Sequence, residues 1–371
     1  MVVNRRIVFN QVKATGLPEP GVTTRPEQTE IDLDNVALNG GVLVRNVAAS
    51  LDPTMRNRMK GGVYFTPNYV KDEPILCIGI SEVLRSELDA YKPGDLIFIW
   101  SQPLEEYSVL PRQLVEQAGR KMDVPTNGLS ITTYLGAAGM AGMTAYMSIK
   151  EIIGDRLQPG TTMFVTGAAG AVGQLVVQIA RQAGVKVIAS AGSDDKCRFL
   201  REELGCEAVF NYKTADPFEE LKKFGGERGI DFYFDNVGGT QLEAYIEHSA
   251  KYGIIVACGY ISGYNADKPE DIVYPKNLFK VVTRELTYRG FIVSSFIQKH
   301  LASFLAEIPQ MIADGKIKVK EDVTFGVLGA EDAFLRLFTG DNEGKVAVLI
   351  DVDHADKWNL GERKKTAKVW Q

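Results

Sequence analysis

The stretch Thr161–Gly184, TTMFVTGAAGAVGQLVVQIARQAG, decides the fold. Thr162–Val165 reads as a short apolar strand, and Gly167, Gly170 and Gly173 mark a turn of small residues. Beyond the turn, Val172, Leu175, Val176, Ile179, Ala180 and Ala183 recur at the spacing of one helical face, and Gly184 stops the helix. A helix N-terminus entered through glycines presents backbone N–H groups and the positive end of the peptide dipole, a seat for a pyrophosphate that no side chain blocks. Set against G-x-G-x-x-G, the residues Ala168-Ala169-Gly170-Ala171-Val172-Gly173 put alanine in the first glycine place. A strand before and a helix after give the pattern its weight as a dinucleotide site. The competing reading is a tight strand-to-helix turn that holds no ligand.

Downstream, strands and helices alternate. Strand Val185–Ala189 leads to a helix from Asp194 to Leu204 that Gly205 ends, then strand Ala208–Asn211, helix Pro217–Phe224, strand Ile230–Asp235, helix Thr240–His248 and strand Gly253–Cys258. Such alternation predicts a parallel sheet with helices on both faces. Leu286–Val293 is the expected last strand, and Leu301–Ile312 a helix ended by Gly315. Residues 1–127 read as mostly β, with strands at Gly41–Ala48, Ile75–Val83 and Asp95–Trp100, the last introduced by Lys92-Pro93-Gly94. The run Gly139–Thr144 has two open readings, tight helix packing and backbone close to a ligand. From Lys316 strand character returns, and Val346–Ile350 is expected to rejoin the first domain. The charged segment Asp353–Gln371 is expected to be a poorly ordered tail. The domains read as 1–127 with 316–371, and 128–315.

A chain of 371 residues, 45% hydrophobic and 24% charged, suits a soluble globular protein of two domains. Net charge is −5, and the one basic tract is Arg363-Lys364-Lys365, which argues against a nucleic-acid surface. No apolar run approaches the length of a membrane span, and MVVNRRIVFN lacks a signal-peptide core, so a cytoplasmic location is expected. The four cysteines form no C-x-x-C pair and the three histidines are far apart, so neither a disulfide framework nor a metal site is indicated.

Several segments together carry a resemblance: Leu51-Asp52-Pro53-Thr54-Met55-Arg56, Lys92-Pro93-Gly94-Asp95, Gly167–Gly173, Gly192-Ser193-Asp194-Asp195-Lys196, Asn211-Tyr212-Lys213, Phe234-Asp235-Asn236-Val237-Gly238-Gly239, Cys258-Gly259-Tyr260-Ile261-Ser262 and Gly340-Asp341-Asn342-Glu343-Gly344-Lys345. The chain resembles the zinc-free medium-chain dehydrogenase/reductases, in the branch of prostaglandin reductases and plant alkenal double-bond reductases. Zinc-dependent relatives carry a Gly-His-Glu motif where this chain has Asp72-Glu73-Pro74-Ile75-Leu76. The resemblance implies an α/β fold with a Rossmann-type doubly wound parallel sheet plus a mostly β, barrel-like (GroES-like) catalytic domain. It implies hydride transfer from NADPH to the β-carbon of an α,β-unsaturated ketone or aldehyde, without metal, in a homodimer, for which the edge at Leu286–Val293 is the expected pairing strand. An NADPH:quinone reductase of the same fold and a catalytically silent dinucleotide-binding protein are the alternatives.

The strand Val185–Ala189 ends in the neutral Ser190-Ala191-Gly192-Ser193 with Lys196 close behind, where an NAD enzyme places an acid on the ribose diol. Asp194 and Asp195 suit the first turn of a helix better than a diol contact. By resemblance Lys196 and Tyr212 grip a 2′-phosphate, Thr144, Ala168, Ala169, Gly170, Ala171, Val172, Gly192 and Ser193 belong to the cofactor site, and Asn236, Val237, Cys258, Gly259, Ile261 and Ser262 border it. Phe291, Ile292 and Val293, with Asn342 and Gly344, match segments that meet the nicotinamide. Tyr264 is the expected catalytic residue, a phenol able to donate to an enolate or its proton path, with Tyr260 its neighbour and rival. Thr54, where plant relatives carry tyrosine, is expected to shape the substrate pocket. Tyr64 and Tyr69 either line that pocket or are surface aromatics.

Overall fold

Frequent turns in the first third of the chain yield strands β1 (Val2–Phe9), β2 (Thr24–Ile31), β3 (Val42–Ser50), β4 (Leu76–Ser86), β5 (Leu96–Pro103), β6 (Tyr107–Leu110) and β7 (Gly119–Met122) in the computed structural model, which describes residues 1–370. The alternation from residue 162 gives β8 (Thr162–Val165), β9 (Lys186–Ala191), β10 (Ala208–Asn211), β11 (Ile230–Asp235), β12 (Ser249–Ala257) and β13 (Thr287–Gly290), and the chain closes with β14 (Glu321–Phe325) and β15 (Lys345–Leu349). By internal contacts it divides into unit 1, residues 1–136 with 321 onward, and unit 2, residues 137–320.

In unit 1 a sheet runs in the order β14-β15-β3-β4-β5-β7, with β6 also paired to β3, and β1 pairs β2 separately. All of these pairs are antiparallel except β14 with β15. Val346–Ile350 does rejoin the first strands, because β15 lies beside β3 with Ala347 opposite Ser50. Two of the expected features of unit 1 are corrected. Residues after 316 were read as strand, yet Ala330–Thr339 is a helix, with Ala330, Ala333 and Phe334 buried and Gly340 in the left-handed conformation at its end. The segment after Asp353 is packed through Trp370, while Gln371 lies outside the described residues. Ala355, Trp358 and Leu360 join the core with Val47, Phe98 and Ile131, and Trp358 Nε1 donates to Asp351 Oδ2 at 2.7 Å. Three apolar side chains outweigh the charge that made this segment read as a tail.

In unit 2 the sheet order is β10-β9-β8-β11-β12-β13, parallel throughout. This is the doubly wound arrangement in which the strand order reverses beside β8. Gly167 has φ +56°, and a Cβ on Gly173 would stand 2.4 Å from the Gly167 carbonyl oxygen, so the turn requires glycine at both places. The helix it opens, Gly173–Gln182, buries Leu175, Val176, Val177 and Ala180. Its buried Gln174 and Gln178 bond both backbone groups of Lys320 and Lys318, and Gln182 reaches the carbonyl of Lys316. That glutamine ladder explains why residues 316–320 stay with unit 2. Gly142 shows tight packing within the Gly139–Thr144 run, since a Cβ there would meet the Ala137 carbonyl oxygen at 1.8 Å. The last helix of the unit begins earlier than its periodicity suggests, at Ser294, and β13 is shorter than the expected strand.

Candidate active site

The carboxyl ends of β8, β9, β10, β11, β12 and β13 form one edge of the unit 2 sheet, the edge at which such folds bind ligands. Ala168–Val172 follow β8 and lead into the Gly173 helix, where the N–H groups of Gln174, Leu175 and Val176 already bond the Gly170 and Val172 carbonyls at 3.1 Å, so an anion would meet the turn residues ahead of them. At the end of β9, Gly192 lies against Tyr212, because an added Cβ would stand 2.8 Å from the phenolic oxygen. Ser193 caps the helix Asp194–Arg198, its Oγ accepting from the Lys196 N–H at 3.3 Å. Gly192 thus contacts Tyr212, and Ser193 is tied to the Lys196 backbone one helical turn on. The two acids beside them are engaged elsewhere, Asp194 by Asn211 Nδ2 at 2.9 Å and Asp195 by Arg198 at 2.9 Å.

Across the strand reversal, Asn236 ties β11 to β8. Its Nδ2 donates to the Thr166 carbonyl at 2.7 Å and its N–H to Thr166 Oγ1 at 3.0 Å. Val237 and Gly238 turn away from the strand because Asp235 Oδ1 accepts both of their N–H groups, at 2.9 and 2.7 Å, together with the Tyr233 hydroxyl at 2.7 Å. Asp235 is a functional-edge residue that the sequence reading passed over, although its place at the end of a strand before Gly238-Gly239 was a signal. Burial raises its pKa, the hydrogen bonds opposing, and Oδ2 is buried without a hydrogen-bond partner among the described residues.

The segment after β12 is stitched to the same turn. The N–H groups of Cys258 and Gly259 reach the Asp235 carbonyl at 2.9 and 3.0 Å, that of Ile261 reaches Asn236 at 3.3 Å, and Ser262 donates through both N–H and Oγ to Val237. Burial pushes the Cys258 thiol up to about 12, which agrees with its reading as a small apolar residue and not a nucleophile. The Tyr264 phenol lies beside Gly259 and accepts the Tyr260 N–H at 3.4 Å; burial raises its pKa, so it keeps its proton through the neutral range. Tyr260 is occupied differently. Its ring covers Gly238, and its hydroxyl donates to the Val273 carbonyl. Thr144 Oγ1 turns back to the Met140 carbonyl at 2.8 Å within its helix. Phe291, Ile292 and Val293 follow β13, with Phe291 stacked on Phe296.

In unit 1, Asn342 is buried and closes its own turn by donating to the Gly344 carbonyl at 3.0 Å. Thr54 is exposed on the 3-10 helix Pro53–Met59, and Tyr64 is at the margin of exposure. The reading of Tyr69 as a surface aromatic is corrected. It is 7% exposed, packs in the core with Phe9 and under Arg58, and donates its hydroxyl to the Leu76 carbonyl at 2.8 Å. The surface reading fails because burial depends on neighbours that a local window does not contain.

Among the described residues, no group of three or more His, Cys, Asp or Glu side chains is placed to hold a metal ion, and no helix is long and apolar enough to cross a membrane.

Comparison with known proteins adds the following. The family described as zinc-binding dehydrogenase matches residues 171–310, and the family described as N-terminal domain of oxidoreductase matches residues 22–117. Dehydrogenase FUB6 of Fusarium oxysporum is 37% identical, over 94% of this chain and 98% of its own. The NADP(+)-dependent 2-alkenal reductase of Nicotiana tabacum is 36% identical, over 89% of this chain and 95% of its own. The crystal structure of CurA from Vibrio vulnificus in complex with NADPH superposes with a TM-score of 0.82 at 29% identity, covering 94% of this chain and 99% of that one.

Proposed function

Because this chain belongs to the medium-chain dehydrogenase/reductase superfamily, in the branch of prostaglandin reductases and alkenal double-bond reductases, we propose that it reduces the C=C bond of α,β-unsaturated ketones and aldehydes with NADPH. The observation that supports the cofactor choice is the contact of Gly192 with Tyr212, next to the Ser193 cap that turns the chain onto Lys196, where both acids are already bonded. A 2′-phosphate would meet a cation and a phenol there, with Asp194 and Asp195 already paired to Asn211 and Arg198. The Gly173 helix start and its glycines hold the pyrophosphate. Within unit 2, Asn236, Val237, the segment Cys258–Ser262 and Phe291–Val293 would border the nicotinamide.

When bound, NADPH supplies the hydride. The chain orients the alkene and handles the charge that follows on the carbonyl oxygen. Tyr264, whose buried phenol keeps its proton, donates to that oxygen and helps deliver the final proton. Thr54 and Tyr64 shape the substrate side. Among the described residues no set of His, Cys, Asp or Glu donors fits the metal in the family's description, which supports a zinc-independent reaction. A second copy of the chain pairs at β13, an edge strand whose four residues are all exposed, near exposed Phe279 and Val282.

The test follows NADPH consumption over a panel of enones, enals and quinones, with product analysis and metal content measured on the same preparation. Saturated ketones or aldehydes from metal-free protein are the expected products. Turnover confined to quinones would replace this reading, and tight NADPH binding without any turnover would make the chain a dinucleotide-binding protein. Sedimentation or light scattering is expected to report a dimer.

A further inference from the structure

Lys345 is one of the most deeply buried cations in unit 1, its side chain 3% exposed, and it reaches back across the end of the β15–β3 pair. Its Nζ donates to Asp52 Oδ1 at 2.9 Å and to the Leu51 carbonyl at 2.8 Å. The stem passes so close to Gly136 that a Cβ there would stand 3.0 Å from Lys345 Cγ. Asp52 is buried as well, and its second oxygen is bonded by Ser50 Oγ. These two residues terminate two different segments. Asp52 caps the 3-10 helix Pro53–Met59, its carbonyl accepting the Met55 N–H at 3.0 Å, and that helix exposes Thr54. Lys345 begins β15 directly after the self-closed turn of Asn342 and Gly344.

A buried ion pair gives up so much hydration that an apolar pair of the same size is often as stable, so stability alone does not account for it. What it adds is direction. Met55 and Met59 seat the short helix on the core, and Arg56 and Arg58 tie its later residues to the Gly16, Pro67 and Leu76 carbonyls, whereas the ammonium fixes the helix start against β15. We infer that the Asp52–Lys345 pair is a positioning device that holds the Pro53–Met59 helix, and with it Thr54, in one register beside the Asn342–Gly344 turn, and so sets affinity for the enone. This rests on the enone-reductase reading above.

The experiment compares wild type, Lys345→Met, Asp52→Asn and the paired variant Asp52→Asn/Lys345→Met as full-length proteins. Thermal unfolding, NADPH titration by fluorescence, and enone KM and kcat are measured on each. Lys345→Met strands a buried carboxylate and can cost folding, so the paired variant, neutral on both sides, decides. Its expected behaviour is an enone KM raised about 10-fold, with kcat and NADPH affinity within about 3-fold of wild type. Asp52→Asn alone keeps an oxygen for the ammonium, and its KM rise is expected to be smaller, about 3-fold. Recovery of the wild-type KM in the paired variant would reduce the pair to charge balance and overturn the proposal. A paired variant that does not fold assigns the pair to stability and overturns it too. If wild type reduces no enone, the functional reading falls and the pair's role with it; if wild type is active and the paired KM is unchanged, the pair's role alone falls.

Discussion

Tyr212 lies over Gly192, so near that a Cβ on the glycine would stand 2.8 Å from the phenolic oxygen and 3.2 Å from the ring. The tyrosine is 42% exposed and can swing outward, so Gly192→Ala leaves the fold intact and displaces the phenol from the proposed phosphate site. NADPH affinity is expected to fall about 10-fold, or about 1.4 kcal/mol, with NADH affinity nearly unchanged. Fluorescence titration with both nucleotides checks this; equal losses would disconnect Tyr212 from the 2′-phosphate.

Lys196→Ala removes the cation from the same proposed site. A charge-assisted bond contributes about 1.5–3 kcal/mol, so KM for NADPH is expected to rise about 10- to 100-fold while KM for NADH holds. In wild type, KM for NADPH should climb with ionic strength, since salt screens an exposed phosphate contact. Steady-state kinetics with both nucleotides, at low and high salt, decide it.

Tyr264→Phe keeps the ring and deletes the donor. Loss of a proton donor lowers kcat by about 100-fold or more, with NADPH affinity within about 2-fold. Burial raises the phenol's pKa, so its proton is present below that raised value and lost as pH climbs through it. Wild-type kcat is therefore expected to stay level across neutral pH and to decline only in strong alkali, a decline the Phe variant lacks. A Phe variant with wild-type kcat would remove Tyr264 from the reaction.

Trp358→Ala tests the packed C-terminal segment. The indole is 2% exposed, and its loss opens a large void and leaves Asp351 Oδ2 without the Nε1 bond. The expected cost is about 3–5 kcal/mol, read as a lower denaturation midpoint, with NADPH affinity of the folded protein retained. An unaltered midpoint would mean that the segment adds nothing to the core.

Parts of this molecule were legible locally. β8, the glycine turn and the helix after it could be read within one stretch because the apolar period changes there from that of a strand to that of a helix. Asp194 and Asp195 as first-turn acids follow from helix-end chemistry, and both do open the helix Asp194–Arg198. The helix Ala330–Thr339 was missed because its buried face rests on few residues, Ala330, Ala333 and Phe334, in a region whose neighbours are strands.

The sequence by itself determined the order of strands and helices in unit 2 and the glycines its turns require. Both are set by interactions among residues a few positions apart, where side-chain size and period act directly. Only the tertiary structure decided that Tyr69 is buried, that Asp353–Trp370 is packed, that Asp235 shapes the turn before Gly238 and that Asp52 and Lys345, 293 positions apart, share a buried bond. Each of those depends on which distant backbone or side chain arrives to exclude water. No local pattern of residues carries that information.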